Sequence, residues 1–369
     1  MAMAQASPVR SVSDLDTVVD CDVHLTERQE DLIPYLEDPF GKMLTRSGGE
    51  DYGYLSNLYP TPGFLTPVTT GKVQSDSVRS PEDVKRGMEM LDTDQVVLTP
   101  TQNLYLACVH HDDLAAALAT AYNKYLLEEY INPADGLYGA VVVAPQKPQR
   151  AAEEIDKHAN ESGVIAAFVP SGGVHPPLGD RQYDPIYKAS ESAGLPLMMH
   201  NAAGTMMKNF PNQFNGLNRY LSTHVPSHAM QHMINLSSMV TQGVPVRHPD
   251  LEFVIQEAGV GWIPYFERRF DAEYSGKRED APMLEKPPSE YIRDQFYFTS
   301  QPLEGADDPA YMEHILRLFG SSESLMFSSD YPHLDFDHSD ELLGMLRGKF
   351  SHDEIKNIYG DTAVSVFGF

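Results

Sequence analysis

Cysteine is nearly absent from this chain: Cys21 and Cys108 are the only two in 369 residues. Two cysteines build no disulfide framework, and neither sits in a paired-thiol motif, so both are expected to be reduced and to serve packing. Tryptophan occurs once, at Trp262. Basic residues are scarce, 27 against 53 acidic, for a net charge of −26. A surface this acidic repels polyanions and anionic lipid, which argues against nucleic acid and membranes as partners. The excess fits either adaptation to high salt, which screens self-repulsion, or an ordinary acidic cytosolic enzyme. No apolar run approaches the roughly 20 residues that span a bilayer. Internal repeats and low-complexity tracts are also missing. Residues 1–17 lack a cationic start followed by an apolar stretch, so they read as a flexible tail rather than a secretion signal, with a cytoplasmic location expected.

What the chain does have is regular alternation. With 41% hydrophobic residues it can build a large core. Short β-rich runs occur at 17–23, 95–99, 137–144, 164–169, 195–200, 251–256, 295–299 and 324–329. Helical patterns fall between and after them, at 81–91, 111–130, 149–161, 185–193, 227–241, 263–274, 311–318 and 353–367. Ser80 followed by Pro81 is a strong helix start, a side-chain cap ahead of a proline in the first turn. Eight strands alternating with helices imply parallel strands joined by right-handed crossovers. The reading is an α/β fold, a single (β/α)8 TIM barrel over 18–369 with long insertions after strands one and five. The first insertion, 25–79, is rich in Gly, Pro and Tyr and reads as a lid or cap. The second, 201–226, carries Met206, Met207, Phe210, Phe214 and Tyr220, which would line an apolar pocket or pack on the rim or a partner subunit.

Acids and histidines stand at the ends of these strands. Asp22 and His24 are two apart, so a strand turns both to one face. His200 closes the fifth run, Glu257 the sixth, and Asp330 the eighth. In a barrel all strand ends meet on one face, so residues hundreds of positions apart can share an ion. Asp22, His24, His200 and Asp330 are therefore the candidate ligands of one divalent metal. An open coordination position on such an ion either activates water for attack on a carbonyl or holds a substrate carboxylate and draws electrons from it. Glu257 is the candidate second acid or base, since burial raises a carboxyl pKa. His228 is placed at the start of a helix, where the dipole would keep its imidazole neutral. His224 and His232 are less well placed. His333 would touch substrate or cap its loop, and Trp262 would pack the turn after strand six.

These residues also carry a resemblance. Val-Asp-Cys-Asp-Val-His at 19–24, the stretch from His248 to Tyr265, and Phe-Ser-Ser-Asp-Tyr-Pro-His at 327–333 resemble the amidohydrolase-related group of the amidohydrolase superfamily. That branch includes aminocarboxymuconate semialdehyde decarboxylase and related aromatic acid decarboxylases. The resemblance implies one divalent ion, zinc or manganese, held by strands one, five and eight. Asp22 and His24 fall on the strand-one ligands, His200 on the strand-five ligand and Asp330 on the strand-eight carboxylate. The chain departs from better-known decarboxylases, which have His or Glu at Asp22 and His at Glu257. No lysine ends strand four or five, against a carbamylated-lysine binuclear centre. The expected activity is non-oxidative decarboxylation of a small carboxylated, aromatic compound, with Asp330, Glu257 and His228 as catalytic residues. Hydrolysis of an ester, lactone or amide is the alternative, and a non-catalytic metal-stabilised scaffold the second. The expected partners are a small-molecule substrate and further copies of the chain, as a homodimer or higher homo-oligomer.

Overall fold

A computed structural model describes residues 9–46, 77–205, 216–217, 219–320 and 322–369. Eight strands form one sheet in sequential order, every neighbouring pair parallel. They are β1 (Val19–Leu25), β2 (Gln95–Pro100), β3 (Leu137–Val142), β4 (Val164–Pro170), β5 (Leu197–His200), β6 (Phe253–Ile255), β7 (Phe296–Thr299) and β8 (Leu325–Met326). The sheet curls until the chain beyond β8 meets β1. Cys21 N donates to Phe327 O at 3.0 Å, His24 N to Tyr331 O at 2.7 Å, and Asp330 N to Asp22 O at 3.0 Å. The expected (β/α)8 barrel is the observed fold.

Strands β1 and β4 are buried along their whole length. This is what parallel strands covered on both faces require, and it explains why they read as apolar runs rather than as alternation. Both cysteines are buried and free.

The crossover helices used below are α1 (Pro81–Leu91), α2 (Asp112–Glu129), α3 (Pro148–His158), α4 (Asp184–Ala193), α5 (Tyr220–Thr241), α6 (Ile263–Gly276) and α7 (Pro288–Gln295). The α1 start is as expected: Ser80 Oγ accepts the Asp83 amide at 3.2 Å. At α2, His111 is the cap rather than the first helical residue, its Nδ1 accepting from Leu114 N at 3.2 Å. Helix α7 and a second helix, Ser339–Leu346, lie where no helix was expected.

Three expectations are corrected. Helix α5 starts at Tyr220 and carries Pro226 in its interior, so proline did not end it, and the second insertion is shorter than 201–226. The strand expected at 324–329 ends at Met326, because side chains take over its backbone donors. Ser328 N gives to Ser300 Oγ at 3.1 Å and Ser329 N to Asp20 Oδ1 at 2.9 Å. The last helix is interrupted by a π-helical stretch at Asn357–Asp361, beside which Ile358 O accepts from Phe327 N at 2.8 Å.

The described part of the expected tail, residues 9–17, departs from expectation, since Val9 and Val12 are buried at 1% and 0% exposure. Of the lid expected at 25–79, the described part packs on α2 and α3. Tyr35 OH donates to Glu129 at 2.9 Å, and Arg150 pairs with Glu37 at 2.8 Å. Residues 47–76 of that lid, together with Met206, Met207, Phe210 and Phe214, lie outside the described residues.

Candidate active site

The barrel brings the four candidate ligands to one point. Asp22, His24, His200 and Asp330 are all at 0% exposure, with one ligand atom of each within 4.8 Å of the others. His24 Nε2 lies 3.2 Å from Asp22 Oδ1 and 3.0 Å from Asp330 Oδ1, and His200 Nε2 lies 3.2 Å from Asp22 Oδ2.

Each ring is aimed by its other nitrogen. His24 Nδ1 donates to Pro100 O at 2.7 Å and His200 Nδ1 to Asn201 O at 2.9 Å. A carbonyl only accepts, so both rings carry their proton on Nδ1 and turn a bare Nε2 inward. This arrangement is characteristic of metal-ligating histidines. His24 Nε2, His200 Nε2 and Asp22 Oδ2 make no hydrogen bond although they are buried. An unsatisfied buried polar atom costs about 1–3 kcal/mol. Three such atoms converging on one point fit a divalent cation.

Neighbours set the remaining lone pairs. Thr99 Oγ1 donates to Asp22 Oδ1 at 2.9 Å, and Gln301 Nε2 to Asp330 Oδ2 at 3.3 Å. His333 Nδ1 is 2.7 Å from Asp330 Oδ1, while its Nε2 is 3.2 Å from Thr101 Oγ1 and its ring stacks on His24 at 4.1 Å. It therefore anchors Asp330 and also keeps a face toward solvent, with 27% of its side chain exposed.

Behind the cluster sits Asp20, which accepts from Ser329 N at 2.9 Å, Ser329 Oγ at 2.5 Å and Asp22 N at 3.2 Å. Burial pushes its carboxyl up to about 7. Asp20, Thr99 and Gln301 were missed in the sequence. The signal for Asp20 was available, since it shares the strand face of Asp22 and His24.

Glu257 joins from the end of β6, with Oε2 3.2 Å from His200 Nε2 and Oε1 3.3 Å from His228 Nε2. Glu257 and Asp330 both have left-handed backbone, at φ 48° and 65°. Aspartate adopts this region fairly readily, but for a glutamate it is sparsely populated, and strain of that kind concentrates at functional sites. Trp262 packs the turn as expected, its Nε1 3.1 Å from both Ala258 O and Gly259 O.

The electrostatics separate the two acids. Burial opposes the charge of Asp330, but His333 and His24 outweigh it and hold the carboxyl at about 2. Burial also opposes the charge of Asp22, and His200 and His24 outweigh it, so its pKa falls well below the usual carboxylate range. At Glu257 burial and the charges of Asp330, Asp335 and Asp22 act together, lifting its pKa well above that range.

His228 is driven well below its usual value by burial and by His224, His200 and His232. The neutral imidazole is as expected, but its cause is corrected: His228 lies inside α5, two turns from its start, and the helix N-terminus does not produce the shift. His232 is buried too, its Nε2 3.0 Å from Gln256 O.

Fold and site together define a (β/α)8 barrel with a buried cluster that could hold one metal ion, its candidate ligands at the C-terminal ends of β1 and β5 and just beyond β8. The chain belongs to the amidohydrolase family, whose model matches residues 19–369. Among solved structures it is similar to an amidohydrolase from Mycobacterium avium subsp. paratuberculosis K-10, at 20% identity and TM-score 0.75, over 96% of this chain and 100% of that one. It is similar to 5-carboxyvanillate decarboxylase from Novosphingobium aromaticivorans, complexed with manganese and 4-hydroxy-3-methoxy-5-nitrobenzoic acid, at 21% identity and TM-score 0.70 over the whole of both chains. A third is dihydroxybenzoic acid decarboxylase from Polaromonas, with manganese and 2-nitroresorcinol, at 15% identity and TM-score 0.67, over 96% of this chain and 97% of that one. No curated protein matches the sequence.

Proposed function

We propose that this protein is a metal-dependent carboxy-lyase that removes carbon dioxide, without oxidation, from a small carboxylated aromatic compound. The observation that carries the reading is the buried Asp22–His24–His200–Asp330 cluster with its three unsatisfied atoms facing one point. Two of the similar structures, both aromatic acid decarboxylases, hold manganese together with an aromatic ligand, which supports the choice of ion and substrate class. Zinc is the other candidate, and the two aspartate ligands favour the harder manganese.

Asp22, His24, His200 and Asp330 would hold the ion, which when bound would supply positive charge to attract a substrate carboxylate and withdraw electrons from it. The chain's own residues do the rest. Asp330, ionised at rest and protonated only in passing through His333, relays a proton to the ring carbon, the carbon–carbon bond to the carboxylate breaks, and its electron pair returns to the ring as carbon dioxide leaves. His333, 2.7 Å from Asp330 Oδ1 and partly exposed, resupplies that proton from solvent. Glu257, whose pKa burial and the neighbouring carboxylates raise, is the second acid, and His228, whose pKa burial lowers, orients the substrate. One proton is consumed for each carbon dioxide released.

The test is carbon dioxide release from a panel of hydroxybenzoates and muconate derivatives by the manganese-loaded protein. Release from at least one hydroxybenzoate is expected. Turnover confined to lactones, esters or amides would replace decarboxylation with hydrolysis. No described helix is long and apolar enough to cross a membrane, and we place the protein in the cytoplasm. We also propose a homodimer or higher homo-oligomer. Leu221 and Val225, each 72% exposed and one turn apart on α5, are the candidate contact, and light scattering on the purified chain tests it.

A further inference from the structure

Gln301 stands two residues beyond β7, buried at 0% exposure. Its backbone is pinned to the segment after β8. Gln301 N donates to Ser328 Oγ at 3.1 Å, while Ser300 Oγ accepts from Ser328 N at 3.1 Å and donates to Ser328 O at 3.2 Å. The side-chain nitrogen is committed as well, since Nε2 donates to Asp330 Oδ2 at 3.3 Å and to Asp335 O at 3.4 Å. A backbone carbonyl only accepts, so the nitrogen must face Asp335 O and the amide cannot be turned round.

The amide oxygen is left over. Gln301 Oε1 is buried and makes no hydrogen bond. It shares one carbon with Nε2, which keeps it within about 6 Å of Asp330 Oδ2. A ring carbon that takes its proton from Asp330 sits about 3 Å from that carboxylate, so a substituent on the same ring can reach Oε1. A buried acceptor without a donor is costly, and a ligand that brings the donor removes the cost.

We propose that Gln301 is a specificity-determining residue whose Oε1 accepts a hydrogen bond from an un-ionised hydroxyl on the substrate ring. The inference rests on the carboxy-lyase reading above and narrows its substrate class. An amide oxygen has no proton to give, so a phenolate leaves it unsatisfied. Asp22 and Asp330 already balance a divalent ion and the substrate carboxylate adds negative charge, which further disfavours ionising the hydroxyl. A site built around a substrate hydroxyl rejects an analogue lacking it, because its own buried group stays unpaired. Gln301 is held in place beforehand, so little ordering is needed when the hydroxyl arrives.

The experiment is calorimetric titration of the manganese-loaded full chain with hydroxybenzoates and the matching fluorobenzoates, whose fluorine is close to a hydroxyl in size but carries no proton. The wild type is expected to bind at least one hydroxybenzoate about tenfold or more tightly than its fluoro counterpart. That ratio should fall to about one in Gln301→Met, which keeps the length of the side chain without its polar atoms. It should fall equally in Gln301→Lys, which keeps a donor toward Asp330 but has no acceptor. Folding is checked by circular dichroism and manganese content by mass spectrometry. Equal binding of both acids by the wild type would overturn the inference and leave the proposed function standing, whereas failure of every acid to bind would overturn both. A preference kept in folded, loaded Gln301→Met would clear Gln301 of the role. A preference lost in Gln301→Met but kept in Gln301→Lys would show that Gln301 acts only by holding Asp330. A folded Gln301→Met chain that takes up no manganese would make it a support of the ion instead.

Discussion

Asp330 carries the most demanding assignment in the molecule, because it is proposed both as a ligand of the ion and as the residue that passes a proton to the substrate. Replacing it with Asn keeps its size and its place beyond β8 while removing the acid. Decarboxylation is expected to fall by about 10²–10⁴-fold, the usual worth of a positioned general acid, with the melting temperature little changed. Near wild-type rates in that variant would sink the mechanism.

Thr99 tests the scaffold of the same site. Its hydroxyl reaches Asp22 Oδ1 at 2.9 Å, and partners of this kind are worth about 10–100-fold in metal affinity. Thr99→Val is therefore expected to weaken manganese binding by that factor, read by competition with a chelating dye. Unchanged affinity would show that Asp22 needs no such support.

Both positions differ in how visible they were. Asp330 stood out as an acid at a strand end, whereas Thr99 is one more β-branched residue in an apolar run. Only the meeting of β1 with β2 turns it into a partner. Glu257 was visible as a strand-end acid, but its two-way contact was not, because His200 and His228 reach it from separate elements.

At the scale of elements, a small polar network ties α3 to α2 and β3. Glu154 accepts from Asn123 Nδ2 at 3.1 Å and from Thr120 Oγ1 at 3.1 Å, with His158 Nε2 3.2 Å away. Asn123 in turn spans Val142, donating to its carbonyl at 2.9 Å and accepting its amide at 2.8 Å. Burial opposes charge on Glu154, but its contacts with His158 and Asn123 prevail and bring its pKa from 4.5 down to about 2. A folded pKa below the unfolded one means the contribution to stability is present above the unfolded value and is lost as the pH falls through the folded one. The stability gap between wild type and Glu154→Gln is accordingly expected to be widest above pH 5 and to close between about pH 4.5 and about 2. A gap that stays constant over that interval, measured by urea melts, would remove Glu154 as its source.

Elements also show where local signals mislead. Pro226 carries no amide hydrogen and its ring crowds the preceding turn, so it reads as a helix boundary. Helix α5 nonetheless runs from Tyr220 through it to Thr241. In β8 the reverse holds: Phe327 to Ser329 have strand character, yet their amides are claimed by Ile358 O, Ser300 Oγ and Asp20 Oδ1. Ser80, by contrast, was legible because a cap and the proline after it act within one turn of chain.

The whole molecule is governed by its charge of −26 and by the ion its centre is built to hold. Self-repulsion on this scale is screened by salt, so the melting temperature is expected to climb with added sodium chloride. A flat response would dismiss adaptation to high salt. Metal acts on the folded state alone. At a free ion concentration of 100 times Kd the stabilisation is about 2.7 kcal/mol, so chelation should lower the melting temperature and manganese restore it. No change on chelation would mean that the cluster binds no ion in the native state.

The sequence by itself determined the eight strands, most of the helices, and the strand-end positions of Asp22, His24, His200, Glu257 and Asp330. Those follow from backbone propensity, side-chain alternation and local caps, all of which operate over a few residues. The parallel barrel followed too, since alternating strands and helices leave few other ways to cover both faces of a sheet. Tertiary structure alone decided that Asp20 accepts from Ser329, the neighbour of Asp330, that α5 continues through Pro226, and that Glu257 lies between two histidines. Each depends on distances between segments far apart in the chain. Such distances are set when the chain beyond β8 closes onto β1 and the core packs, and no local pattern records them.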